Sequence, residues 1–178
     1  MRVCLIVSAL LALAGTTAAG AVDPVTLSVE TTSLAVPAEP AGFDWSGFYA
    51  GVYGAAGQGG AAGSQFGLGA GIGVNAQLDF VLVGAEVTLQ SLSGEGIDTS
   101  YGSVLGRSGI VLTDDILLYA VAGYGWDLQG VGGGPLAGGG LEFALTGPVS
   151  LRAQYLHSFD GTAAMPSNQL TLGAAFHF

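Results

Sequence analysis

Four charged residues stand out in a chain that is poor in charged side chains. Glu86, Arg107, Glu142 and Arg152 each sit inside a run of apolar and small residues. Two acids and two bases in such surroundings can neutralise one another. An arginine left facing lipid at mid-membrane would cost about 2–4 kcal/mol, so inward pairing is the physical expectation. Glu142 and Arg152 are symmetric about Gly147, so a hairpin turning at Gly147-Pro148 sets them opposite each other. Glu86 and Arg107 can then act as second partners. Such a network is either a structural plug or the gate of a narrow water path. His157-Ser158 with Asp160 could suggest a lipid hydrolase. Consecutive residues on a strand point to opposite faces, however, so the two cannot meet as base and nucleophile without a bulge. His157 and His177 are too far apart in sequence to suggest a metal site, and His177 beside Phe178 is expected at a membrane interface. No catalytic residue, cofactor or metal is expected.

The elements that carry these charges alternate with period two. From Phe66 to Leu78 one face reads Phe66, Leu68, Ala70, Ile72, Val74, Ala76, Leu78, and the other Gln65, Gly67, Gly69, Gly71, Gly73, Asn75, Gln77. Only a strand explains that pattern. It is longer than the roughly 5–6 residues of an ordinary globular strand and suits a tilted membrane strand. The pattern recurs at Val81–Gln90, Gly140–Leu145, Leu151–Tyr155 and Leu170–Phe178. Ser103 to Leu112 and Ile116 to Trp126 alternate less cleanly, with Gly123 and Gly125 assigned inward and Tyr124 and Trp126 outward. A first strand is expected over Gly47 to Gly57, with Phe48, Ala50 and Val52 outward. Inward glycines suit a narrow barrel, whose interior holds few large side chains.

Short turns are expected at Leu78-Asp79, Asp114-Asp115 and Gly147-Pro148. Longer loops are expected near 58–64, 91–99, 127–134 and 160–168. The alternation of short and long connections, with short turns every ~31–35 residues, is that of membrane hairpins. The predicted fold is all-β, an eight-stranded antiparallel up-and-down transmembrane β-barrel. The glycine repeats carry neither a G-K-[ST] ending nor G-x-G-x-x-G spacing, which disfavours a phosphate loop.

Composition agrees. Charged residues make up 9% of the 178 residues and hydrophobic ones 50%, whereas a soluble domain has about 25% charge. Arg2, the apolar run Leu5 to Ala14 and the Ala19-Gly20-Ala21 site read as a secretory signal peptide over 1–21. The run is too short for a spanning helix, which needs ~20 residues. Residues 22–43, with Pro24, Pro37 and Pro40, read as a flexible periplasmic linker, and 44–178 as the barrel domain. Cys4 falls in the signal, so disulfide or thiol chemistry is not expected in the mature chain. After cleavage two arginines and no lysine stand against thirteen acids, a balance that excludes nucleic acid as a partner.

These residues resemble a known family. Asp44-Trp45-Ser46-Gly47-Phe48-Tyr49-Ala50-Gly51 is similar to the W-x-G-F-Y-x-G opening of small porin-like, OmpA-like outer-membrane proteins of the outer-membrane immunogenic protein type. Leu117–Tyr124 resembles that family's L-L-Y-x-x-G-G strand. Leu151-Arg152-Ala153-Gln154-Tyr155 resembles its L-R-x-E-Y strand, with Gln154 in place of the usual Glu. Leu170–Phe178, through Leu170, Leu172, Gly173, Phe176 and Phe178, resembles the terminal signal read by the barrel-assembly machinery. The resemblance spans 44–178. It implies a Gram-negative cell outer membrane location and an eight-stranded barrel with a surface-structural or weakly pore-forming role. Implied partners are outer-membrane lipid and lipopolysaccharide, with periplasmic chaperones and the assembly machinery during biogenesis. The expected function is a structural barrel with a largely plugged, charge-paired interior. The alternative is a low-conductance pore; a surface adhesin or lipid hydrolase stands further behind.

Overall fold

The computed structural model describes residues 42–59, 63–94, 97–130, 132–159 and 165–178, all within one unit, Ala38–Phe178. The expected signal peptide and most of the expected linker lie outside the described residues. Eight strands follow one another: β1 (Gly47–Gln58), β2 (Ser64–Leu78), β3 (Val81–Gly94), β4 (Ile97–Thr113), β5 (Ile116–Asp127), β6 (Gly133–Ala144), β7 (Val149–Ser158) and β8 (Asn168–His177). Each pairs antiparallel with the next, and β8 pairs with β1, giving a closed up-and-down barrel. Closure leaves no sheet edge, so the ladders satisfy the backbone polar groups without water.

Period two decides which way each side chain points. On β2, Phe66, Leu68 and Ile72 are exposed on the outer wall, while Gln65 and Asn75 are buried inside. Phe48, Val52, Leu89, Tyr124, Leu151, Leu172 and Phe176 extend the apolar outer wall. An interior that holds charged and polar side chains behind an apolar exterior inverts a soluble protein and is the arrangement of a transmembrane barrel.

Turn chemistry sets the connections. The β2–β3 turn is Asp79-Phe80, with Asp79 at φ 60°, a left-handed conformation that Asp tolerates better than most residues. The strands begin one residue away from the anticipated Leu78-Asp79 turn because Leu78 still pairs with Val81. A long loop over 91–99 is not found. β3 runs on to Gly94 and β4 starts at Ile97, with Ser93 opposite Asp98. The Ser, Gly and acidic residues there read locally as a loop, but inward Leu92, Thr99 and Tyr101 keep the alternation going, and burying them extends the hairpin. β4 is therefore longer than the Ser103–Leu112 run. Its ladder with β5 shifts register only at the end, between Val111 and Thr113. The imperfect alternation before that arises because apolar Leu105 faces inward while Gly106 and Ser108 face outward.

The interior is filled on one side by an apolar cluster that includes Trp45, Leu82, Leu105, Leu117 and Leu136. A second cluster joins Tyr53, Ala55, Leu92, Tyr101 and Met165. Inward tyrosines lie over cross-strand glycines. Tyr49 is opposite Gly73, Tyr53 opposite Gly69 and Tyr119 opposite Gly140. A Cβ at any of the three would run into the facing ring, so here glycine makes room for a large neighbour.

Candidate functional site: a charged layer inside the barrel

Glu86, Arg107, Glu142 and Arg152 come from β3, β4, β6 and β7. Their relative exposures are 3%, 4%, 0% and 8%. The structure brings all four into one network, but its pairing differs from the expected Glu142–Arg152 couple. Those two are register partners on β6 and β7, yet Arg152 pairs with Glu86 on β3. Glu142 accepts instead from Arg107 Nη2 at 2.8 Å. The reason is geometric. Inward side chains of neighbouring strands start side by side and extend toward the axis of a narrow barrel. A long guanidinium therefore reaches the far wall as readily as its neighbour.

Tyrosines stitch the two ion pairs together. Tyr49 Oη donates to Glu86 Oε2 at 2.6 Å and accepts from Arg107 Nη1 at 2.9 Å. The Arg107 guanidinium carbon lies 4.2 Å from the Tyr119 ring centre and 5.4 Å from that of Tyr49. Such contacts stabilise a cation by about 2 kcal/mol or more when desolvated. Tyr119 Oη donates to Gln154 Oε1 at 3.0 Å. A neutral polar layer adjoins the charges. Gln90 and Gln169 exchange amide hydrogen bonds at 3.0 Å each, and Tyr53 donates to Gln90 at 3.1 Å. Tyr101 also donates to Gln169.

His177 is not at the interface. It is 6% exposed and faces inward, with Nε2 3.1 Å from Ser150 Oγ and 3.3 Å from Glu142 Oε1. Parity was the readable signal: its neighbours Phe176 and Phe178 point outward, so His177 must point in. The same rule finds Tyr49 between Phe48 and Ala50, and Ser150 two residues before Arg152. Met165 and Trp45, outside the strands, had no such signal.

The Ser150–His177–Glu142 cluster has the residue types of a hydrolytic triad but not its geometry. In a triad the nucleophile and the acid occupy different ring nitrogens. Here both approach Nε2, and Ser150 Oγ donates to Glu142 Oε1 at 2.6 Å. The arrangement is a buried hydrogen-bond triangle. His157 and Ser158 lie on opposite faces: Ser158 is buried, while His157 Nδ1 is 3.2 Å from Asn168 Oδ1 on the outside. They do not approach each other. Among the described residues, no group of three or more His, Cys, Asp or Glu could hold a metal ion.

Both ends of the interior are covered by residues from outside the strands. Trp45, 0% exposed, packs against Phe43 at 4.5 Å and His177 at 5.8 Å between ring centres. At the long-loop end Met165, 1% exposed, joins Tyr53, Leu92 and Tyr101. The residues expected to signal assembly lie on β8, with Phe178 directly after its last residue. Leu170, Leu172, Phe176 and Phe178 are exposed on the outer wall, and Gly173 lies inward beside Tyr53.

The chain matches no protein-family model and no curated protein sequence. Its fold does match solved barrels. The crystal structure of Neisserial surface protein A aligns with a TM-score of 0.51 at 18% identity, covering 75% of this chain and 98% of that one. The attachment invasion locus protein Ail of Yersinia pestis aligns with a TM-score of 0.52 at 16% identity, covering 75% and 97%. This chain therefore shares the eight-stranded barrel fold of these two bacterial proteins.

Proposed function

We propose that the protein is a structural barrel of the bacterial outer membrane whose interior is plugged by paired charges. The observation that carries this reading is the crossed network of Glu86–Arg152 and Arg107–Glu142, all four residues buried. Opposite charges held by two ion pairs and the Tyr49 hydroxyl fill the lumen at one depth and leave no net charge to attract an ion. The fold shared with Neisserial surface protein A and Ail supports an outer-membrane location. In that setting the short turns face the periplasm and the longer loops face outward. The terminal residues Leu170, Leu172, Gly173, Phe176 and Phe178 serve as the assembly signal. Lipid and lipopolysaccharide surround the apolar wall.

A planar-bilayer recording of the refolded chain tests the plug. The expected result is a quiet membrane at protein levels that give channels with an open porin. A reproducible unitary conductance would reject the plug and install the second reading, a low-conductance pore. That alternative has one observation in its favour: Gln65 Nε2 and both amide atoms of Asn75 are buried without a partner among the described residues, polar groups of the kind that line a water path.

A further inference from the structure

The chain does not enter β1 along the rim of the barrel. It arrives from across the mouth. The Phe43 amide donates to the Asp114 carbonyl at 3.3 Å, and Asp114 lies in the β4–β5 turn. In the closed barrel β5 is four strands from β1 in either direction. Residues 42–46 therefore cross the short-turn end before the chain joins the wall. We propose that this segment is a strap that closes the mouth with Trp45 as its stopper. It is a second closure, separate from the charged layer, and it can be released without opening the barrel. Three observations carry the inference.

The first is the facing of the strap. Gly42 and Asp44 are exposed, Phe43 is half-buried and Trp45 is buried. One edge meets water and the other meets the lumen. Trp45 belongs to the interior cluster with Leu82, Leu105 and Leu117, and Phe43 packs against the same cluster.

The second is the junction with the wall. Gly47 has φ 101°, a positive angle that glycine adopts readily and other residues rarely do. A Cβ there would also lie 3.1 Å from the Phe178 carbonyl oxygen. The next residue is fixed: Phe48 and Phe178 exchange backbone hydrogen bonds at 3.2 and 2.9 Å. The chain leaves the wall at a hinge set against a closed ladder.

The third is how the strap is held. Among the described residues its hydrogen bonds are the Phe43–Asp114 bond, one from the Gln77 amide to Ser46 Oγ at 3.2 Å, and an internal one from the Ser46 amide to Asp44 Oδ1 at 2.9 Å. None of these joins two strands in a ladder. The buried Trp45 Nε1 has no partner among the described residues, so moving into water gives it one. Apolar contacts keep the indole in place. A pull on the chain ahead of Gly42 breaks the Asp114 bond and those contacts and leaves all eight strands paired.

The test reads the two ends of the lumen separately. It uses the full refolded chain with Cys4→Ser, which removes the single native cysteine. Leu82→Cys and Leu92→Cys each place one thiol at a position that is 0% exposed. Position 82 is on the mouth side of Glu86 on β3, and position 92 is beyond it. A neutral water-soluble maleimide should react slowly at both. Trp45→Ala should raise the rate at position 82 at least tenfold and change the rate at 92 less than twofold. No change at 82 would overturn the strap. Equal rises at both positions would also overturn it, because Trp45 would then support the whole barrel and not close one mouth. A bilayer current from the parent chain, with position 82 still protected by Trp45, would reject the charge plug and leave the strap standing. Release is read with Trp45 kept. Trp126→Phe leaves Trp45 as the single indole, and Phe43→Pro removes both the ring and the N–H that bonds Asp114. Acrylamide quenching of Trp45 should rise at least threefold while the heat-modifiable folded form is retained. A folded Phe43→Pro chain with quenching equal to that of the parent would overturn the proposed release.

Discussion

Glu142 and Arg152 stand directly opposite each other on β6 and β7, but each finds its ionic partner elsewhere. Arg152 reaches Glu86 on β3, four strands away in either direction around the barrel. The network thus ties opposite walls together and does not merely reinforce one hairpin. Removing one member leaves its partner's charge buried, a cost of about 3–5 kcal/mol in dry surroundings that internal water reduces.

A double-mutant cycle reads that arrangement. Arg152→Gln with Glu86→Gln should show a coupling of about 1–3 kcal/mol in urea unfolding. Arg152→Gln with Glu142→Gln should couple less than half as strongly. Stronger coupling to Glu142 would mean that the hairpin pair, not the cross-barrel pair, carries the energy.

Gly73 makes room for the ring that joins the two ion pairs. A Cβ there would lie 2.7 Å from Tyr49 Cε1, and Tyr49 cannot retreat without losing its bonds to Glu86 and Arg107. Gly73→Ala should destabilise the barrel by about 1–3 kcal/mol through overpacking. Gly54→Ala is the comparison, since a Cβ there meets only the Leu172 carbonyl oxygen, at 3.9 Å. Its denaturation midpoint should stay close to that of the parent. Equal effects at the two sites would remove the steric account.

Phe178 closes the barrel through its backbone: its amide donates to Phe48 at 2.9 Å, and its carbonyl accepts from Phe48 at 3.2 Å. Its ring is 70% exposed and stacks 6.5 Å from Phe48. Phe178→Ala keeps the closure bonds and removes the proposed recognition group. Refolding into detergent should therefore be near normal, while the heat-modifiable folded form in cell envelopes should drop severalfold. Normal assembly in cells would reject the signal. Failure in detergent as well would make the ring a stability element.

Trp45 is buried without belonging to any strand. Truncating a fully buried aromatic costs about 3–5 kcal/mol, so Trp45→Ala should lower the urea midpoint well below that of Trp126→Ala, whose side chain is only partly covered on the outer wall. Comparable losses would show that the Trp45 contacts with Phe43 and His177 contribute little.

Alternation was enough to establish β2, β3, β6, β7 and β8, their facing and the inward placement of Glu86, Glu142 and Arg152. β4, which carries Arg107, and β5 alternate less cleanly, and their facing was settled only by the closed barrel. Side-chain period in a strand is a local property of the backbone, and neither a helix nor a loop keeps every second residue on one face over such a length. The same rule applied to Phe176-His177-Phe178 assigns the histidine inward, against the interfacial position that its aromatic neighbours suggest. Composition misled at 91–99, where Gly and acidic residues signalled a loop and cross-strand burial of Leu92 and Tyr101 extended the hairpin. The partners inside the lumen were beyond sequence. Neighbouring strands can be aligned from the turns, which makes Glu142 and Arg152 an obvious couple. Which inward side chains meet across the axis depends on tilt, stagger and closure of all eight strands at once. Trp45 and Met165, which cover the two ends, owe their positions to that closed shape, because only a completed barrel has an interior for them to enter.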